Sequence, residues 1–292
     1  MFADAYEKAS HFTQPLIVSV RHFDGMVSCS LGAFVILNPE GWVVTTAHLL
    51  EALPAHEQHT KEIVAHKEQI SAIEQNPRLN TKQKRNQISR LKSNQKWITN
   101  HSFWWGKDGV QCKQLMVLPV ADLAIAQLDP FDPDTVKTYP VLKNPSNLPL
   151  GSSLCKLGFP FHEIRATFDE DKNSFVLAPG TLPVPRFPIE GIYTRNVEVE
   201  KPKDAKYEIK FLETSSPGLR GQSGGPIFDV KGTVWAIQSK TVHFPLGFSP
   251  KVKKNGREVE ENQFLNVGWG VHPETLLAFL TDNGIKFTMS DY

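Results

Sequence analysis

A serine set among glycines carries the clearest chemical signal in this sequence. The run Gly221-Gln222-Ser223-Gly224-Gly225-Pro226 displays a hydroxyl on a tight turn. Glycines let the backbone approach a substrate carbonyl and aim N–H groups at it. A serine hydroxyl is a weak nucleophile until a neighbouring base takes its proton. We therefore predict that Ser223 is a nucleophile for acyl transfer, which requires a base elsewhere in the chain.

A histidine and an aspartate precede this serine, each beside an apolar strand. His48 follows the apolar residues 33–37 and 42–44, and Asp122 opens the apolar run 122–125. Histidine titrates near neutrality, so His48 can accept the proton of Ser223 and later give it to a leaving amine. Asp122 would fix the imidazole tautomer and stabilise the charged ring. The order His, Asp, Ser predicts a catalytic triad.

Each of these residues also has a structural interpretation. Ser223 could be a turn residue, His48 a core histidine with satisfied hydrogen bonds, and Asp122 a cap at the start of a strand. Asp108 is a rival for the acid, but it lacks an apolar strand behind it. The sequence has no His-Glu-x-x-His motif, no paired cysteine spacing and no phosphate-binding glycine loop, so we expect no metal and no cofactor.

Three motifs resemble those of the trypsin-like serine peptidases, and in particular their bacterial HtrA-like branch. The family's Thr-Ala-Ala-His, Asp-Ile-Ala-Leu and Gly-Asn-Ser-Gly-Gly-Pro segments are similar to residues 45–48, 122–125 and 221–226. A looser match is Gly268-Trp269-Gly270-Val271, which precedes a helix-like stretch at 273–280. No peptide-binding PDZ domain is expected, because the chain ends soon after that stretch. The resemblance covers most of the chain outside an insert at about 55–115.

Many short apolar runs broken by proline and glycine are typical of an all-β barrel or sandwich. The resemblance implies the former: a mainly β, chymotrypsin-like fold of two six-stranded antiparallel β-barrels, with an inserted α-helical hairpin and a C-terminal helix. Residues 1–54 and 99–140 would form the first barrel, 55–98 the hairpin, and 141–292 the second barrel with the terminal helix. The Pro-rich stretch 160–205 would supply loops near the substrate groove. The site would lie in the cleft between the barrels.

The substrate-binding groups are assigned partly by the resemblance. The backbone N–H groups of Gly221 and Ser223 would form an oxyanion hole. The residues assigned to the substrate pocket are Pro217, Gly218, Arg220, Ile237, Gln238 and Ser239, with Pro217 at its floor. No acid lies at this floor to select Arg or Lys, and Gln238 stands where glutamate-specific relatives have histidine. We expect a small or medium apolar substrate side chain.

The residue before the serine departs from the pattern of secreted family members. Those enzymes have an aspartate there, which pairs with an N-terminus freed by cleavage, whereas this chain has Gln222. We therefore expect that no N-terminal cleavage is needed for activity.

Residues 55–98 interrupt the strand pattern with two arms of opposite charge. Ile63, Ile70 and Ile73 in one arm, and Ile88, Leu91 and Ile98 in the other, have helical spacing. Residues 55–76 contain four Glu and two Lys, whereas residues 81–98 contain six basic residues and no acid. The basic arm is interpreted as a solvated face paired to its neighbour or as a docking surface for an acidic regulatory partner. Nucleic acid is disfavoured, because aromatic residues for base stacking are missing inside the helix.

The composition is that of an ordinary globular protein. The 292 residues are 40% hydrophobic and 22% charged, with a formal net charge of +1, so nothing attracts the chain to membranes or nucleic acid. No apolar stretch reaches membrane-spanning length, and no signal peptide opens the chain. The three cysteines are widely spaced, and Leu49 stands where secreted relatives have a cysteine. A reduced, cytoplasmic location fits this pattern.

These observations together predict a serine endopeptidase that cleaves protein or peptide substrates through an acyl-enzyme. The helical insert would target or regulate it. Two alternatives remain open: an esterase-like acyl hydrolase with the same triad, and a catalytically silent scaffold that binds a protein partner through the hairpin.

Overall fold

The computed structural model describes residues 1–199, 206–254 and 256–291. Its first sheet has the antiparallel strand order β4-β1-β2-β3-β6-β5. The strands are β1 (Thr13–His22), β2 (Val27–Ile36), β3 (Trp42–Thr45), β4 (Ile98–Trp105), β5 (Gln111–Leu118) and β6 (Leu123–Asp129). Among the described residues β4 and β5 share no ladder, so this six-stranded barrel is open. Apolar side chains such as those of Phe34 and Ile125 fill its interior.

The second sheet closes into a barrel, because β13 pairs both with β8 and with β14. Its order around the barrel is β13-β8-β11-β12-β17-β14, and β7 and β18 extend it beside β14. The strands are β7 (Val141–Leu142), β8 (Ser153–Gly158), β9 (Ala166–Asp169), β10 (Ser174–Leu177), β11 (Phe187–Glu198), β12 (Lys210–Thr214), β13 (Pro226–Phe228), β14 (Val234–Pro245), β15 (Lys251–Lys254), β16 (Arg257–Glu260), β17 (Phe264–Val271) and β18 (Thr288–Met289). The strands β9 and β10, and likewise β15 and β16, form separate hairpins.

Within the part of the chain that the structure describes, four α-helices accompany the strands: α1 (Ala3–Phe12), α2 (Ala52–Glu74), α3 (Thr81–Ile88) and α4 (Pro273–Asp282). The predicted fold class, two barrels with few helices, is therefore confirmed. The Pro-rich stretch predicted to be loops contains the barrel strand β11. Its Pro188 lies at the second position of that strand, close to the end where a missing N–H is tolerated.

The N-terminal helix α1 was not predicted; it lies within residues 1–54, which were assigned to the first barrel, and it also packs against the second. The ring of Phe2 packs edge-on against Phe228 of β13, with ring centroids 6.2 Å apart. The guanidinium of Arg186 donates to the carbonyls of Ser10 and Thr13, at 3.0 Å each. Helix α1 therefore contacts the second barrel although it precedes β1 of the first barrel in the chain.

The segment between β3 and β4 holds α2 and α3, but the second arm is shorter than its spacing predicted. The capping box of Asn80 and Gln83 starts α3, and the helix ends at Ile88. Turns follow, and Asn94 accepts from the N–H of Lys96 at 2.9 Å. Ser and Asn in 89–95 favour such turns over helix, and Ile98 begins β4. No helix among the described residues is long and apolar enough to cross a membrane.

The loop that carries His48 is fixed by the packing of Leu49 against Gly32. A Cβ placed on Gly32 would lie 2.3 Å from a methyl carbon of Leu49. The leucine side chain therefore occupies the space beside Gly32, and a side chain at Gly32 would displace it. This contact fixes the turn after β3 against β2.

Candidate active site

His48 and Asp122 form a hydrogen-bonded pair on the first barrel. His48 lies in the short turn Ala47–Leu50 that follows β3, and Asp122 precedes β6 with a left-handed φ of 53°. The Nδ1 of His48 lies 3.0 and 2.9 Å from the two carboxylate oxygens of Asp122. The backbone N–H of His48 donates to the same carboxylate at 3.0 Å. The ring nitrogen that remains, Nε2, is the one available for proton transfer.

Charge stabilisation within this pair shifts both pKa values. Burial opposes the ionised form of Asp122, but hydrogen bonds and charge from His48, together with a bond from Ser239, outweigh it and lower the pKa of this carboxyl. Burial lowers the pKa of His48, but the hydrogen bond and charge of Asp122 and the charge of Glu51 outweigh it and raise this pKa above its usual value. The imidazolium form is therefore stabilised, as a general base requires after it has taken a proton.

Ser239 completes the surroundings of Asp122, a role that the sequence analysis did not assign. Its hydroxyl donates to Asp122 Oδ2 at 2.5 Å. Ser239 lies on β14 of the second barrel, so this bond links the two barrels at the site. A serine in an apolar strand gives no sequence signal for such a contact.

The loop of Ser223 packs so closely that its glycines are required. The carbonyl of Ser223 accepts from the N–H of Ala33 on β2 at 2.8 Å, a second bond between the barrels. A Cβ on Gly224 would lie 2.0 Å from the Ala33 carbonyl oxygen, and one on Gly225 would lie 2.0 Å from that of Leu157. Side chains at these positions would push the nucleophile loop away from β2 and β8.

The Ser223 hydroxyl has one hydrogen-bond partner among the described residues, the carbonyl of Ser239 at 3.4 Å. His48 lines the same cavity as Ser223 but does not share a hydrogen bond with it in the described chain. Catalytic hydrogen bonds are often long or poorly aligned in the free enzyme and tighten when substrate binds.

The turn before Ser223 is where the sequence predicts an oxyanion hole. The N–H of Gln222 donates to the carbonyl of Leu219 at 2.9 Å, and Gly221 has a φ of 95°, as the third residue of a type II turn requires. Within the described residues, the N–H groups of Gly221 and Ser223 have no acceptor, so both can donate to a substrate oxygen. The sequence placed the oxyanion hole at these two residues.

Gln222 braces this turn from inside the protein. It is fully buried, and its amide oxygen accepts from the N–H of Leu219 at 3.0 Å. Its amide nitrogen donates to the carbonyl of Phe187 at 3.4 Å. Gln222 therefore holds the turn through neutral hydrogen bonds, without the ion pair that an aspartate would form.

A cavity of about 620 Å³ opens beside Ser223 and His48. Five of the six predicted pocket residues line it: Pro217, Gly218, Arg220, Gln238 and Ser239. Ile237 does not, because it is fully buried in the core between Pro226 and Val271. The pairing of β14 with β17 shifts register after Gln238. Ile237 lies before this shift, and its side chain packs in the core instead of lining the cavity. The lining residues not predicted are Leu219, Lys240, Thr241, His243 and Asn266.

Asp108, the rival acid, has a different environment. Its carboxylate accepts from the indole N–H of Trp104 at 2.6 Å. It lines a cavity with Phe34 and Trp105, whereas His48 pairs with Asp122. The geometry therefore favours Asp122 as the partner of the imidazole.

Comparisons with known proteins give a family match and similar solved structures. A family model described as a trypsin-like peptidase domain matches residues 32–237. No curated protein matches the chain significantly. Among solved structures, the HtrA-type protease AlgW with a decapeptide has a TM-score of 0.49 and 13% identity, covering 97% of this chain and 68% of that one. A form of AlgW with a tripeptide has a TM-score of 0.48 and 14% identity, and this chain spans 63% of its length.

Proposed function

Because this chain belongs to the trypsin-like peptidase family, we propose that it is a serine endopeptidase that cleaves protein substrates through Ser223, His48 and Asp122. The observation that carries the proposal is the His48–Asp122 pair facing the cavity of Ser223, beside two free N–H groups. Each element has a role in acyl transfer, and no other chemistry uses all of them.

The reaction follows from the geometry. Ser223 Oγ attacks the carbonyl carbon of the scissile bond while His48 Nε2 takes the hydroxyl proton. The negative oxygen of the tetrahedral intermediate accepts from the N–H groups of Gly221 and Ser223. The C–N bond then breaks, the amine leaves with the proton held on His48, and an acyl-enzyme remains. Water, deprotonated by His48, attacks the acyl-enzyme and restores Ser223.

The direct test is incubation of the purified protein with a reduced, unfolded protein substrate, followed by mass spectrometry of the products. Internal cleavage at defined bonds supports an endopeptidase. Hydrolysis of small esters without any peptide cleavage would favour the esterase alternative. Intact substrate together with an unreactive Ser223 would favour the silent scaffold.

We further propose that the insert predicted at residues 55–98 receives an acidic protein substrate or regulator. Its base is fixed to β4: the N–H of Ile98 donates to His59 Nδ1 at 3.0 Å, and the indole N–H of Trp97 donates to Glu62 at 2.5 Å. The first turn of α2 lines a cavity that His48 also lines. The insert therefore begins at the rim of the cleft.

The basic arm of the insert is open to such a partner. In the described part of the chain, no base of residues 81–98 forms an ion pair with an acid of the first arm. The one bond between the arms from these bases, at 2.6 Å, joins Lys84 Nζ to the backbone carbonyl of Glu74. The basic side chains are therefore available to pair with an acidic partner. This favours the docking interpretation over a basic face that pairs with the acidic first arm.

Removing the outer part of the insert is expected to separate protein from peptide cleavage. The rings of His66 and Trp97 are 5.6 Å apart, so a short Gly-Ser linker can replace residues 68–94 and leave the fixed base intact. We expect hydrolysis of a short peptide to change less than twofold and cleavage of an acidic protein to fall several-fold, measured as initial rates.

The matched variant is Lys82→Gln, Lys84→Gln and Arg85→Gln in the full-length chain. It should reproduce the effect of the deletion if charge is the cause. Unchanged protein cleavage in both variants would contradict a role of the insert in recognition.

The cytoplasmic location stays a prediction from the cysteine pattern.

A further inference from the structure

The cavity beside Ser223 is lined by bases and lacks acids. Its described lining residues include the basic residues Arg220, Lys240 and His243, and none of them is Asp or Glu. The acid nearest to the reacting groups, Asp122, is engaged by His48 and Ser239. Glu213 on β12 is 4% exposed and accepts from Arg195, Thr194 and the indole of Trp269. The cavity therefore presents positive charge without a carboxylate of its own to offset it.

A buried lysine adds to this charge from behind the cavity wall. Lys156 on β8 is fully buried, and its Nζ donates to the carbonyl and hydroxyl of Ser216 and to the carbonyl of Pro217, the last at 3.1 Å. Pro217 lines the cavity. The Lys156 ammonium therefore lies behind the cavity floor, with the backbone of Pro217 between the ammonium and the cavity. A Cβ on Gly268 would lie 2.5 Å from Nζ, so this glycine provides the space for the ammonium.

The charge of Lys156 has no anionic partner in the described part of the chain. Buried charges are normally paired, because removing an ion from water costs several kcal/mol. Burial lowers the pKa of Lys156 to about 7. An anion in the cavity would stabilise the charged form, which is the usual effect of an opposite charge nearby.

Arg220 is the cation positioned to contact a substrate. It is exposed, occupies the second position of the type II turn above Ser223, and lines the cavity. Within the described residues its guanidinium has no hydrogen bond and no ion pair. Lys240 differs, because its ammonium is held over the rings of Phe211 and Trp269, at 4.7 and 5.1 Å from their centroids.

We propose that this cavity selects an acidic substrate side chain, Glu or Asp, at the residue whose carbonyl Ser223 attacks, with Arg220 as its contact and Lys156 as the charge behind the floor. The inference rests on the proposed function and replaces the sequence-based expectation of an apolar side chain. That expectation used Gln238, whose buried amide nitrogen is engaged by the carbonyls of Lys240 and Trp269. Arg220 and Lys156 provide the charge that Gln238 does not.

The test uses quenched fluorescent peptides that are identical except for Glu or Gln before the scissile bond. Because a charge-assisted hydrogen bond is stronger than a neutral one, kcat/KM should be about 10- to 100-fold higher for Glu. In Arg220→Gln the ratio of the two kcat/KM values should fall towards one. Arg220→Glu should invert the ratio, so that the Gln peptide is cleaved faster than the Glu peptide. This variant should also accept Lys at the same position. Lys156→Met should also lower the ratio, and the exposed Arg220 variants decide the question if that buried variant fails to fold.

Lys137→Gln is the control, because Lys137 is exposed and lies outside the cavity lining. It should leave the Glu-to-Gln ratio unchanged. A fluorophosphonate probe, which carries no such side chain, reports Ser223 activation separately. Labelling with equal cleavage of both peptides, or preference for Gln, overturns this inference and leaves the proposed function standing. No labelling and no peptide cleavage overturn both.

Discussion

Replacing His48 by alanine is expected to lower kcat for peptide hydrolysis by about 10⁶-fold, the scale of loss found when a triad base is removed. Without the imidazole, Ser223 loses the base that the proposed mechanism assigns to it, and Asp122 contacts only the Nδ1 side of that ring. Single-turnover and steady-state rates on one peptide measure the loss. KM should change little, since His48 contacts the reacting atoms rather than the substrate side chain.

His11→Ala is the matched control for this experiment. His11 lies in α1, where it pairs with Glu7 at 3.7 Å, far in sequence and in contacts from the cavity. Its activity should equal that of the wild type. A loss of less than tenfold in His48→Ala would show that another group acts as the base.

Replacing Asp122 by asparagine should lower kcat by about 10⁴-fold. The carboxylate accepts from His48 Nδ1, from the His48 backbone and from Ser239. An amide cannot accept all three, and its NH₂ group would favour the wrong imidazole tautomer. Since Asp122 raises the pKa of His48, the variant should also shift the acid limb of the kcat/KM profile to lower pH.

The direction of this shift follows from the role of His48 as a base. In the wild type, kcat/KM rises with pH as His48 loses its proton, with a midpoint above the ordinary histidine pKa of about 6.5. Asp108→Asn is the matched control, because its carboxylate contacts Trp104, and it should leave rate and profile unchanged. Equal losses in the two variants, or an acid limb that does not move in Asp122→Asn, would contradict the assignment.

The three candidate catalytic residues could be predicted from the sequence because each of their motifs is local. The two glycines after Ser223 indicate close backbone contacts. In the structure, a Cβ on either glycine would clash with the carbonyl of Ala33 or of Leu157. His48 and Asp122 each border a strand of the first barrel, so their spacing along the chain depends little on the insert between them. The fold class followed from the same motifs through the family resemblance.

The features that were missed or wrong depend on contacts between distant segments. Helix α1 packs against the second barrel through Phe2 and Phe228, which nothing in residues 1–12 indicates. Ile237 was assigned to the pocket, although a register shift after Gln238 leaves it in the core. In the sequence, Lys156 is an ordinary strand residue. It becomes buried only when β8 packs against the loop at 216–217. Burial of a charge is a property of the folded chain and leaves no local pattern.

Fluorophosphonate labelling of the wild type and of Ser223→Ala, followed by intact-protein mass spectrometry, tests whether Ser223 is an activated nucleophile. We expect one added phosphonyl group per chain in the wild type, located on Ser223, and none in the variant. Labelling at another residue, or equal labelling of both proteins, would contradict Ser223 as the activated nucleophile. Absence of labelling in both would contradict an assembled triad in the isolated protein.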